Sequence, residues 1–365
     1  AEEKKASPKK TPKKSKKKGS QKKRKQPKML LGKKGHDAGL RIFNCVLDAE
    51  RWRIMLDGIH DAVFANCDIV SKECILGCPT YTRITGCNFY ARADAPVMMY
   101  LFGGWCNSVD HCTGQDYKAH TYDTSMGRFF TVTAYGNRPE NTYIAHNQTF
   151  DLTVQPMHYN QNSGEQLMWE SLKVITEQHP KAADGTSVTF AKAFKTKRVN
   201  WYATAVVSAG RGLGQYRQVR KYDPKTGVVT LHRPWRIVPD AESKVMIAHT
   251  VNRVIVYKNR FDAKPRAYQW DKHIASCGVE PFGGSIHFVV DGNVFHELRS
   301  AIHAFNRPTF FHLYQNNTVS PGRWGFNVPP GDGTVGVIAR RNTLEGLLES
   351  AFRTGSRYGK GPLGL

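Results

Sequence analysis

The sequence predicts an all-β protein built as a solenoid of short strands, and two observations predict it. The first is a recurring corner. Asn44 in RIFNCVL, Asn66 in VFANCDI and Asn88 in ITGCNFY stand at equal steps of 22 residues, each after a short β-prone run and each next to or close to a cysteine, Cys45, Cys67 or Cys87. The signature returns at Asn147 (TYIAHNQTF), Asn259 (VIVYKNRF), Asn293 (FVVDGNVF), Asn316 or Asn317 (FHLYQNNTV) and Asn342 (VIARRNTL). A repeat of that length is too short for a helical pair and suits one turn made of short strands. Asparagine belongs at such a corner because it tolerates the left-handed backbone region and, stacked on its own kind, bonds amide to amide. The second observation is alternation: TYTRIT, FFTVTAY and VNRVIVY carry the two-residue period of a strand with one face inward.

Taken in order, the chain opens on a basic arm. Residues 1–28 hold fourteen Lys or Arg against Glu2 and Glu3, so about +12 of the formal +23 lies there. Beyond alanine the arm has no aliphatic or aromatic residue, cannot bury surface to offset chain entropy, and is predicted to be disordered. It suits either a solubilising tail or a tether to an anionic surface. No aromatic residues interleave its lysines, which argues against nucleic acid as the ligand. PKMLLGKKGHDAG then forms a junction suited to covering the first turn, whose core would otherwise meet water. Successive turns follow, with Cys112 standing where an asparagine is expected. An extra loop, KAHTYDTSMG, lengthens the step from Cys112 to Asn147.

The step from Asn147 to Asn259 is 112 residues, and most of the excess is an insertion over residues 172–246. It reads as a small β-module, with Asp223-Pro-Lys-Thr-Gly227 as turn chemistry between RQVRKY and VVTLHR. Gly210, Gly212 and Gly214 lack the Lys-Ser/Thr of a phosphate loop. The solenoid thus occupies residues 29–171 and 247–352, and 353–365 form a loose tail. Of the eight cysteines, Cys45, Cys67 and Cys87 fall at the repeat period and are expected as stacked small apolar side chains. Cys74 and Cys78 have no second pair at zinc-like spacing, so no metal site is predicted. No apolar stretch is long enough to span a bilayer. Ala1 suits the residue after a small-residue cleavage site, which makes a secreted, cell-surface or periplasmic setting the expectation.

With eight corners in agreement, the chain resembles the right-handed parallel β-helix of the pectate-lyase-like superfamily over roughly residues 39–350, with one interruption. The resemblance implies an all-β right-handed parallel β-helix of about nine or ten coils with one small inserted β-module. It also implies a groove along an outer strand face, where a coil step of ~4.8 Å is close to the length of a sugar ring. The expected function is that of a carbohydrate-active protein, a polysaccharide lyase or glycoside hydrolase acting on an acidic polysaccharide. The alternative is a non-catalytic β-helix adhesin or tail-fibre-like surface module. No Asp-Asp pair or Arg-x-Pro-x-x-Arg of the known lyase and polygalacturonase families is present.

Candidate residues come from polar stretches beside the long turns. A hydrolase needs two carboxyls across the scissile bond, and Glu165 with Asp271 is the preferred pair. A lyase needs a cation for the sugar carboxylate, a base for the adjacent proton and an acid for the leaving oxygen. Lys272, Arg299, His273, His303 and Tyr135 supply those types, with calcium as a cofactor only in the lyase case. Trp270 and Trp324 are candidate sugar platforms and Asn162 a candidate sugar contact, although Trp is as readily core and Asn162 a turn former. HYNQNSGEQLMWES, YQWDKHIASCGVEPFGG (which includes Glu280), HELRSAIHAFNRP and VDHCTGQDYKAHTYD are the stretches searched. An outward His or Glu is more often a solvated side chain than a catalyst.

Overall fold

The computed structural model describes residues 39–91, 97–116, 128–133, 139–152, 165–171, 174–194, 203–263, 265, 277–304, 308–328 and 334–354. Among the described residues every regular element is a strand. Most strands belong to three parallel ladders. The first runs Arg41–Phe43, Val63–Ala65, Arg83–Thr85, Trp105–Asp110, Glu140–Ala145, Lys244–Tyr257, Gly284–Asp291, Leu313–Gln315 and Ile338–Arg340. The second runs from the start of Val46–Asp57 to Thr343–Leu344, and the third from the end of Val46–Asp57 to Leu347–Thr354. Each repeat of the chain adds one strand to the first ladder, then one to the second and one to the third. Asp68–Gly77 serves two ladders at once: Asp68 to Ser71 pairs with Asn88–Ala91, and Cys74 to Gly77 with Val97–Phe102.

The repeat is fixed by two left-handed residues five positions apart. Asp61, Tyr81, Cys106, Asn141, Arg253, His287, Phe311 and Gly336 have positive φ, and so do Asn66, Gly86, His111, His146, Lys258, Gly292, Asn316 and Arg341. The four residues between each pair carry the first-ladder strand, and the residue after the second left-handed position forms a column. That column corrects the equal spacing read from Asn44, Asn66 and Asn88. Asn44 and Asn66 hold the left-handed position itself, at φ 53° and 55°, whereas Asn88 is the first residue of a strand. The column residues are Cys45, Cys67, Cys87, Cys112, Asn147, Asn259, Asn293, Asn317 and Asn342. Cys112 thus occupies the place expected for an asparagine, and Asn317 rather than Asn316 is the column member.

The amides of the column bond as a ladder. Asn147 donates its side-chain amide to the Asn259 side-chain oxygen at 2.9 Å, Asn259 to Asn293 at 2.9 Å, Asn293 to Asn317 at 3.1 Å and Asn317 to Asn342 at 2.9 Å. Each of these oxygens also accepts the main-chain N–H one repeat below. Above Asn147 the column switches to thiols, and Cys67, Cys87 and Cys112 are buried. The Cys112 Sγ lies near the Ile84 carbonyl at 3.8 Å, the place where an amide would bond. All eight cysteines are free, and burial pushes the Cys74 thiol up to about 12 and Cys112 well above its usual range.

One apolar core runs between the ladders, with Phe64, Phe89, Phe129, Phe130, Phe261, Phe288, Phe295 and Phe326 all buried in it. The strands from Val174–Gln178 to Val228–Leu231 are antiparallel instead; Val174–Gln178 and Ala203–Ala209 pair with the first half of Lys244–Tyr257 and the others pair within the set. They have a core of their own around Phe190, Val219, Tyr222 and Trp235.

Candidate functional site on the third ladder

The third ladder brings together residues far apart in sequence. Leu167, Val279, Ile302, Phe326 and Phe352 form one register row across Glu165–Glu170, Cys277–Phe282, Leu298–His303, Gly322–Val328 and Leu347–Thr354. The next row carries the polar groups: Met168 pairs with Glu280, and His303 pairs with Asn327, which pairs with Arg353. Glu280 and His303 therefore stand side by side on neighbouring strands, with His303 Nδ1 3.8 Å from Glu280 Oε2. That is beyond hydrogen-bond length, and the two are electrostatic neighbours.

Both groups are largely withdrawn from water: the Glu280 side chain is 5% exposed and that of His303 20%. Burial, reinforced by the charges of Arg353 and Arg299, pushes the His303 pKa down to about 4. Its imidazole is neutral at physiological pH. The Arg299 and Arg353 guanidinium carbons lie 4.7 and 4.6 Å from the centre of the Trp324 ring. Trp324 donates its indole N–H to the Glu349 carboxylate, which also accepts from Arg323. Partial burial opposes ionisation of Glu349, but those two donors and the nearby arginines hold its carboxyl below the ordinary range.

Glu165 opens its strand and is buried, directly paired in register with Cys277. Burial and the carboxylates of Glu280 and Glu165 push the Cys277 thiol well up, which keeps it protonated. Beside Glu165, Gln166 accepts from Thr149 at 2.5 Å and donates to the Asp262 carbonyl at 3.1 Å, which pins the start of this strand.

The expected site residues divide cleanly. Glu165, Arg299, His303 and Trp324 fall on the third ladder and within the same few strands. Asp271, Lys272, His273, Tyr135, Trp270 and Asn162 lie outside the described residues. Trp324 is 8% exposed and faced by two guanidinium groups. Glu280, noted in sequence only as part of a polar stretch, is the partner of His303. Cys277 and Arg353 gave no sequence signal, since neither stands in a recognisable pattern. Among the described residues no group of three or more His, Cys, Asp or Glu is placed to hold a metal ion.

A second polar cluster lies on the first ladder. Arg83 Nη2 meets Asp110 Oδ1 at 3.0 Å, Thr85 donates to the same oxygen at 2.6 Å, and His111 Nδ1 lies 2.9 Å from it. The His111 ring stacks on His146 at 4.9 Å. Asp110 has its oxygens occupied by these partners, which makes it a structural anchor. No protein family matches this chain, and a search of curated proteins finds no match either.

Proposed function

We propose that the three ladders wind as a right-handed parallel β-helix with one small inserted β-module, and that the protein is a lyase acting on an acidic polysaccharide laid along the third ladder. The meeting of Glu280 with a neutral His303 on adjacent strands carries this reading. β-Elimination from a uronic acid needs a base at the carbon beside the carboxylate, a cation to hold that carboxylate and an acid for the leaving oxygen. His303 supplies the base, and Arg299 and Arg353, stacked against the Trp324 ring, supply positive charge. A protonated carboxyl of Glu280, beside His303, gives the leaving oxygen its proton, and a hydrolase using Glu165 and Glu280 as its acid and base is the nearest catalytic alternative. The strong net positive charge of the chain favours an anionic polymer. In this reading the protein is exported, and its basic arm contacts an anionic surface.

The test is a panel of carboxylated and neutral polysaccharides. A lyase releases products with the ultraviolet absorbance of a new double bond, whereas a hydrolase releases reducing ends without it. His303→Ala and Glu280→Gln should each abolish turnover. Full activity in both variants would remove the site, and inertness toward every polymer would leave a non-catalytic adhesin-like module as the better reading. That competing reading draws on an exposed apolar row along the first ladder, where Tyr143 is 36%, Ile255 43% and Ile338 54% exposed.

A further inference from the structure

The outer face of the first ladder carries a single register row: Ser108 pairs with Tyr143, Tyr143 with Ile255, Ile255 with Val289, Val289 with Leu313 and Leu313 with Ile338. Five successive strands thus present Tyr, Ile, Val, Leu and Ile outward, and none of the five is buried. A contiguous apolar stripe on a flat parallel sheet is a docking surface in search of a partner. At its rim the Tyr216 ring of the antiparallel strands meets His287 edge-on at 5.6 Å.

We propose that this face pairs with the same face of a second copy of the chain, about a two-fold axis that runs along the strands between Lys244–Tyr257 and Gly284–Asp291. Such an axis keeps the strand direction and reverses the ladder order, so the surface must match its own reversal. It does. Ile255 meets Val289 of the second copy, Tyr143 meets Leu313, and Ser108 meets Ile338. Lys258 meets Gly292, which leaves room for its ammonium to reach Asp291 of the second copy. Asp291 is held facing outward by the Gln315 and Asn316 side-chain amides, at 3.0 and 2.8 Å. Each of these pairs occurs twice by symmetry. The six strands that overlap about this axis, Trp105–Asp110 to Ile338–Arg340, at a step of ~4.8 Å and each about five residues wide, give a footprint of roughly 480 Å² per copy. Stable partners bury about 800 Å² each, so the dimer is a concentration-dependent one.

Size-exclusion chromatography with light scattering on the full chain tests this. The mass should rise from 41.1 kDa toward twice that value as concentration increases about a hundredfold. Ile255→Asp and Val289→Asp should hold the chain at the monomer mass with an unchanged melting temperature. Lys258→Glu should weaken association, and Lys258→Glu combined with Asp291→Lys should restore it. A chain that stays monomeric throughout overturns the proposal, as does a dimer indifferent to Ile255→Asp. A trimer, or a charge exchange that fails to restore association, overturns the two-fold arrangement. If the native chain is monomeric and Ile255→Asp instead abolishes polysaccharide binding, the stripe belongs to the polymer and the proposal falls.

Discussion

Replacing Asn259 by alanine should be the most damaging single change of a polar residue in the column, and its cost can be worked from the hydrogen bonds. The Asn259 side chain makes four. Its oxygen accepts the Asn147 main-chain N–H at 3.0 Å and the Asn147 side-chain amide at 2.9 Å, while its own amide donates to the Ile144 carbonyl at 3.0 Å and to the Asn293 oxygen at 2.9 Å. Asn259→Ala strips the buried Asn147 N–H of this acceptor. An orphaned buried donor costs about 1–3 kcal/mol, and each further lost bond about 1 kcal/mol. The Asn147 amide keeps the Val109 carbonyl at 3.0 Å, and the Asn293 oxygen keeps the Asn259 main-chain N–H, so those losses are partial. The total is about 3–4 kcal/mol. Urea unfolding followed by circular dichroism reads this directly as a shifted midpoint at unchanged slope. Asn259→Cys should cost less, because the same column accepts Cys67, Cys87 and Cys112 upstream. A loss of under ~1 kcal/mol in the alanine variant would refute the idea that the amide ladder holds the corners together.

Cys112→Asn extends the ladder by one rung: the new amide would meet the Ile84 carbonyl now facing Sγ at 3.8 Å, and thermal or urea melts should show a gain of about 1 kcal/mol. Asp110 gives a pH signature. Burial would raise its pKa, but hydrogen bonds from Arg83, Thr85 and His111 and the charge of Arg83 outweigh it and hold the carboxyl at about 2, below the ordinary 3.8. A depressed folded-state value stabilises above the unfolded pKa and is lost as pH falls through the folded one. Arg83→Ala removes one of three donors, and one that is more than half exposed and screened by water, so it should cost about 1 kcal/mol at neutral pH and almost nothing near pH ~2, a difference read from urea melts at the two values. For any activity found, His303 in its neutral form should sustain kcat/KM from neutral pH down to about 4, with loss below, and Arg353→Ala should move that limb to higher pH. A limb near the ordinary histidine value in the native protein would show that His303 is not the base.

Much of the fold was legible because stacked amides demand one residue type. Asn147, Asn259, Asn293, Asn317 and Asn342 each donate and accept along the column, and no other side chain of that size does both in the same direction. The thiol half of the column was legible only as a period, because a buried cysteine asks nothing of its neighbours beyond volume. The column made by the first left-handed residue of each pair was not legible at all. Asp61, Tyr81, Cys106, Asn141, Arg253, His287 and Phe311 share a conformation and no chemistry. A left-handed residue other than glycine costs roughly 1–2 kcal/mol, and at these places the neighbours, not the residue, supply the compensation. Arg253 bonds Asn141 at 2.7 Å, and His287 stacks on Phe311 at 5.0 Å, each one repeat away. The conformation is thus set by stacking between repeats, which a single repeat read alone does not contain.

The same physics explains what was legible of the candidate site. Glu165 and Cys277 are 112 positions apart yet exchange a register pairing, because the antiparallel strands are inserted between two strands that neighbour one another in the third ladder. Sequence distance therefore hid the adjacency, while residue type alone drew attention to Glu165, Arg299 and His303. What residue type could not reveal is that His303 is held neutral by being starved of water, with Arg353, two strands along the ladder, and Arg299, four positions away on its own strand, adding to the effect. A histidine in the sequence is only a candidate, and the row of partners that the parallel register lays beside it decides its protonation. Chemistry in such a protein is a property of rows, and a change at Arg353 should alter His303 as surely as a change at His303 itself.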